Sequence, residues 1–181
     1  MAPSPPAVVP MTTPSGAAPV RAMRLLLVLA VGLLAAAVAP SPAAAQRVRI
    51  TKLSDVAFGS LTNLGVDAVR NQSVCVFSQA ATRGYHVTAT GSAPGGSFAL
   101  LSGGNQLAYD VQWSPSAGQS SGTQLSPNVT LTGLTSTATQ QSCNSGPATS
   151  ASLIVVLRST TLSNARAGSY AGTLTLVIGP E

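Results

Sequence analysis

The sequence predicts an all-β fold, a sandwich of two antiparallel sheets, and three observations lead there. Past residue 46, short apolar runs recur with the two-residue period of a pleated strand. Clusters of Gly, Ser, Pro and Asn punctuate those runs at the spacing of turns. No stretch of the same region carries the 3.6-residue period of an amphipathic helix. About seven strands result, the number a sandwich needs.

The elements follow in order. Val48, Arg49 and Ile50, with Leu53, Val56 and Phe58, open the domain; residues 48–56 read as its first strand, with an irregular step at Ser54-Asp55. SVCVFS (73–78) is a short apolar strand. GYHVTATG (84–91) alternates Tyr85, Val87 and Ala89 against His86, Thr88 and Thr90. A hairpin comes next: Phe98 and Leu100 lead in, Gly103-Gly104-Asn105 turns, and Leu107, Tyr109, Val111 and Trp113 lead out. NVTLTGL (128–134) is a further strand, and SLIVVLRS (152–159), apolar on both faces, reads as a central one. The serine-rich stretches 114–126 and 142–152 read as long surface loops. SYAGTLTLVIGPE (169–181) is the last strand, with Tyr170, Leu174, Leu176 and Ile178 on one face and Ala171, Thr173, Thr175 and Val177 on the other. Little blunts it as an edge before Pro180, which raises the question of what lies beside it.

The first 45 of the 181 residues read as removable. Arg21 and Arg24 precede the apolar run 25–39, and PSPAAA ends in small residues, so the segment has the charged, apolar and cleavable parts of a secretory signal. The run is shorter than the roughly 20 residues that span a bilayer, which argues against a membrane span in the mature protein. Cleavage is expected between Ala45 and Gln46, leaving residues 46–181 as one domain. The Pro-, Ala- and Thr-rich stretch before Met23 is unlike an n-region, so Met23 is a second candidate start.

Charge is sparse. The mature part holds seven Arg or Lys and four acids, a net of +3. Arg47, Arg49 and Lys52 cluster at its start, a run too short to read as more than a solvated end. No basic stripe interleaves with aromatics, so nucleic acid is not an expected partner. The two cysteines, Cys75 and Cys143, are expected to pair as one disulfide in an oxidising compartment, pinning a loop to the core. A single histidine and no C-x-x-C leave no expected metal or cofactor.

Catalysis finds no footing. His86 is the sole candidate base, it sits in a strand, and only Asp55, Asp67, Asp110 and Glu181 are available to orient it. There is no G-x-S-x-G, and the acids are too few to suggest a glycosidase pair. Gly95-Gly96 and Gly103-Gly104 lie in turns rather than before helices, and so do not read as phosphate loops. Asn128-Val129-Thr130 matches a glycosylation sequon, a pattern common by chance. Trp113 is a core residue on its spacing with Tyr109 and Val111, the alternative being a sugar-stacking platform. No enzymatic function is expected.

Several of these segments, in this order, resemble the spore coat protein U domain. They are Ile50-x-x-Leu53-x-Asp55-Val56-Ala57-Phe58-Gly59-Ser60, Val74-Cys75-Val76-Phe77, GYHVTATG, Leu107-x-Tyr109-x-Val111-x-Trp113, and the ending from Ala167 to Glu181. The resemblance spans residues 50–181. That family is similar to subunits of archaic chaperone–usher pili, so it implies an immunoglobulin-like sandwich lacking its last strand, in a structural or adhesive subunit of a surface fibre (a pilus or fimbria). It implies export to the periplasm and then the cell surface. The implied partners are a periplasmic chaperone, an outer-membrane usher and neighbouring pilus subunits, engaged by strand addition. Tyr170, Leu174, Leu176 and Ile178 would then line the donor-strand groove. One departure stands out: residues 46–57 leave no room for a donor extension of about ten residues ahead of Phe58, which implies a tip or terminal subunit that accepts a strand and gives none. The competing reading is a free-standing secreted carbohydrate-binding sandwich with Trp113 on its surface.

Overall fold

A computed structural model describes residues 46–181. The expected signal segment, the alternative start at Met23 and Ala45 of the cleavage site lie outside the described residues, and Gln46 is the first inside them.

Ten strands and one short helix follow one another: β1 (Val48–Thr51), β2 (Ala68–Ser78), β3 (Gly84–Gly91), β4 (Ala99–Ser102), β5 (Asn105–Ala108), β6 (Asp110–Ser114), β7 (Thr123–Leu125), β8 (Thr130–Thr135), β9 (Ala151–Leu157), α1 (Ser159–Leu162) and β10 (Leu174–Pro180). They form a five-stranded sheet in the order β1-β2-β9-β6-β7, a three-stranded sheet in the order β10-β3-β8, and the β4–β5 ribbon. All pairings are antiparallel. This is the all-β sandwich the alternation predicts.

The core lies between the two larger sheets. Val74 and Val76 from β2, Val111 and Trp113 from β6, and Leu153, Val155 and Leu157 from β9 meet Tyr85, Val87 and Ala89 from β3 and Leu134 from β8. Trp113 is fully buried, and its indole N–H donates to the Tyr85 hydroxyl at 3.1 Å. Burial pushes the Tyr85 phenol above its ordinary pKa. A ring so enclosed is not a sugar platform, and the carbohydrate-binding alternative loses the residue it depended on.

Several expectations need correction. β1 ends at Thr51, not at residue 56, because Lys52 takes a left-handed φ of 66° that breaks the ladder. β2 is eleven residues long and starts five before SVCVFS. Its first half, with Arg70, Asn71 and Gln72, lacks an apolar pattern and becomes strand by pairing with β9 in register from Ala68 to Val74. The run from Leu107 to Trp113 is two strands, not one. β5 belongs to the ribbon, the Tyr109 N–H donates to the Phe98 carbonyl, and β6 crosses to β9. The ribbon turns at Gly103-Gly104 with Gly103 at φ 58°, a conformation glycine adopts freely. The stretch 114–126 is not all loop, since it contains β7. It also folds over β9: the Ser152 hydroxyl donates to the Ser116 carbonyl and accepts from the Gln119 N–H. That cover accounts for the full burial of Ser152 on the outer face of β9.

Cys75 and Cys143 are bonded, with Cα atoms 5.9 Å apart. The bridge does not touch the main core as expected. Odd residues of β2 face away from it, so Cys75 joins Cys143, Ala138 and Phe77 in a separate small cluster beneath the loop that precedes β9. Ser136 and Ser150 fix that loop by donating to the Val76 carbonyl.

Charge is used at one place in particular. Arg158, at the end of β9, bonds Asp110 at 2.6 Å and Asp67 at 2.9 Å, and Asp67 also accepts the Ser159 N–H that opens α1. That backbone bond first, and then Arg158, hold the Asp67 carboxyl below its ordinary pKa. A carboxyl depressed by folding contributes stability that is present above its unfolded pKa and is lost as pH falls through the folded one. The Asp67→Asn variant should therefore be less stable than wild type near neutrality, with the gap closing below about pH 4. Urea unfolding across pH 2 to 7 measures it; a gap independent of pH would assign the stabilisation elsewhere.

Candidate functional site

β10 pairs with β3 from Leu174↔Gly91 to Pro180↔Tyr85 and has no strand on its other side among the described residues. The Glu181 N–H donates to the Gly84 carbonyl at 3.2 Å. By the two-residue alternation of an antiparallel ladder, Gly179, Val177 and Thr175 then turn their backbone groups toward β3, and Leu174, Leu176 and Ile178 turn theirs toward the open edge. Pro180, which has no N–H, also falls on the open side. The side chains divide as the sequence predicts. Leu174, Leu176 and Ile178 are half-buried against the core, while Thr175 is exposed and Val177 is 58% exposed.

Beside this edge runs a groove of about 1280 Å³, apolar along its floor. One wall is the chain from Ala165 through Tyr170 to Leu174 and Leu176, and the other is residues 53–61 with Leu64. The floor is Leu100, Leu107, Tyr109, Leu153, Val155, Leu157 and Leu162. Burial raises the Tyr109 phenol above its ordinary pKa. Asp55, Gln72 and Arg166 also line the groove. Of the four groove residues expected from sequence, Tyr170, Leu174 and Leu176 line it. Ile178 does not, because the groove lies along the other half of β10. Tyr170 is held in place by its hydroxyl, which donates to the Arg166 carbonyl at 3.0 Å.

The floor and the opposite wall were not expected. Leu153, Val155 and Leu157 share one face by two-residue spacing, a signal present in SLIVVLRS but masked because the other face is apolar too. The second wall carries no periodicity at all, since residues 53–66 take no regular structure.

His86 lies half-exposed on the outer face, over Gly179, with Nδ1 3.9 Å from a Glu181 oxygen. Asp67 and Asp110, two of its possible partners, are engaged by Arg158 instead. The sequon Asn128 is tied up as well, its amide donating to the Gly95 carbonyl and accepting from the Thr90 hydroxyl. Among the described residues, no three His, Cys, Asp or Glu side chains cluster as metal ligands, and no helix is long and apolar enough to cross a membrane.

No family model and no curated protein matches the chain. The likeness to the spore coat protein U domain thus rests on the motifs quoted from the sequence. Among solved structures, the chain is similar to one from a chaperone–tip adhesin complex of CFA/I fimbriae biogenesis, at 17% identity and a TM-score of 0.45. The match covers 75% of this chain and 41% of that one, so the chain spans less than half the length of its structural neighbour.

Proposed function

We propose that this protein is an exported structural or adhesive subunit of a chaperone–usher type surface fibre, and that it accepts an extended strand from another polypeptide along β10. The observation that carries this reading is the pairing of an open backbone edge with a groove of apolar floor on the same strand. Leu174 and Leu176 direct side chains into the groove and backbone groups toward the vacant edge. Only an extended chain satisfies both at once, with main-chain bonds for affinity and alternate apolar side chains for register. The donor is first a periplasmic chaperone and then a neighbouring subunit delivered at an outer-membrane usher. The subunit stands at a tip or terminal position. It performs no chemistry of its own, and the role is cell adhesion or fibre structure.

A ten-residue peptide alternating Val and Thr tests the reading. At about a hundred times its dissociation constant it should stabilise the protein by roughly 2.7 kcal/mol, raising the melting temperature by roughly 10 °C. A scrambled peptide with its apolar residues contiguous should do much less. If neither moves the melting temperature up to millimolar concentration, the groove does not take strands.

A further inference from the structure

The wall of the groove opposite β10 is held in an unusual way. Residues 53–58 run beside the first half of β2, yet no backbone-to-backbone hydrogen bond reaches them from any described residue. Side chains stand in for the ladder. The Gln72 carboxamide accepts from the Ser54 N–H at 2.9 Å and donates to the Ser54 carbonyl at 3.0 Å, as a peptide group of a neighbouring strand would. The Ser54 hydroxyl donates to the same amide oxygen. Arg70, two residues away on the same face of β2, donates to the carbonyls of Ala57 and Phe58, with its guanidinium 5.7 Å from the Phe58 ring centre. The segment keeps the register of the β1–β2 ladder: Thr51 pairs with Cys75, and three residues further along each chain Ser54 faces Gln72. An open space of about 260 Å³ is bordered by residues 54–57 and 70–72. The chain turns at both ends of the segment, at Lys52 (φ 66°), whose ammonium donates to the Ala148 carbonyl at 2.6 Å, and at Gly59 (φ 68°), whose surroundings are open.

This segment is apolar and badly placed for water. Leu53 is 45% exposed and Val56 36% exposed, and both border the groove whose floor is leucine and valine. Hydrophobic attraction alone would draw Leu53 and Val56 of this strap into that space. We infer that Gln72 and Arg70 are a latch: they hold residues 53–58 against β2 and so keep the groove open for an incoming strand. The inference rests on the strand-accepting reading of the groove. It assigns to Arg70 and Gln72 a positioning role, and Gln72 also borders the groove. Freed of the latch, the strap moves into the groove, burying Leu53 and Val56 and occupying the place of the donor.

The test is the Arg70→Leu, Gln72→Leu double variant, which keeps the volume and β-compatibility of both sites. Two readouts are needed: fluorescence of 1-anilinonaphthalene-8-sulfonate, which reports open apolar surface, and affinity for the alternating Val/Thr peptide. The latch predicts that dye fluorescence falls at least twofold, peptide affinity falls at least tenfold, and the melting temperature holds or rises. Two polar residues that merely support the fold would give the reverse pattern in dye and melting temperature. Dye fluorescence equal to or above that of wild type overturns the latch, whatever the peptide does. If wild type binds no peptide, the strand-accepting reading fails, and the dye result alone still decides whether the strap collapses. Should the double variant not fold, Arg70→Met alone replaces it; dye fluorescence is expected to fall, and a signal equal to or above that of wild type contradicts the latch.

Discussion

Replacing Cys75 and Cys143 together by alanine is expected to remove roughly 4 kcal/mol of stability, since the bridge closes a loop whose ends are 68 residues apart. The loss should fall on the whole domain. Cys75 lies within β2, which also pairs with β1 and β9, so the bridge ties the loop before β9 to the strand beside β9. Urea unfolding of the two proteins measures it as a drop in midpoint, with a slope equal to or steeper than that of the bridged protein because the unbridged unfolded chain exposes more surface. A loss of less than about 1 kcal/mol would mean that Ser136 and Ser150, bonded to the Val76 carbonyl, already order the loop without the bridge.

The second large effect is on strand capture. Leu176→Asp puts a charge on a half-buried position between the groove and the core, where an incoming apolar side chain is wanted. Affinity for the alternating peptide should fall at least a hundredfold, roughly 2.7 kcal/mol. Thr175→Asp, one residue away, faces solvent on the outer side of the sheet and turns its backbone to β3, so it should leave the affinity within about threefold of wild type, a change of under 1 kcal/mol. Isothermal titration of both variants decides the matter. Equal losses would show that binding depends on the general charge of β10 and not on an inward face.

What the sequence made legible was whatever a single strand decides alone. The alternation of GYHVTATG fixed β3 to its end residues, and that of LTLVIG fixed which side chains of β10 meet the core. The Gly103-Gly104 turn was equally plain, because its conformation favours glycine on local grounds. Features decided between strands were not legible. Arg70, Asn71 and Gln72 are polar, and they become strand because β9 supplies the ladder. The break at Tyr109 separates two strands that pair with different neighbours, and nothing in the alternation from Leu107 to Trp113 marks it. For the groove, the wall on β10 could be read from its pattern. The opposite wall, held by Gln72 and Arg70 across an irregular segment, has no period to detect. Ile178 illustrates the limit of periodicity: it has the right face, but the groove runs along the other half of the strand.

The central claim, that β10 receives a strand along its open edge, is tested most directly by residue-resolved amide hydrogen exchange with and without saturating alternating Val/Thr peptide. Leu174 and Leu176 turn their amides to the open edge, whereas Thr175, Val177 and Gly179 already face β3. Strand addition predicts that exchange at Leu174 and Leu176 slows at least tenfold in the complex, with a much smaller change at the three amides between and beyond them. Equal slowing at all five, or unchanged exchange at Leu174 and Leu176 in a complex known to form, would contradict it.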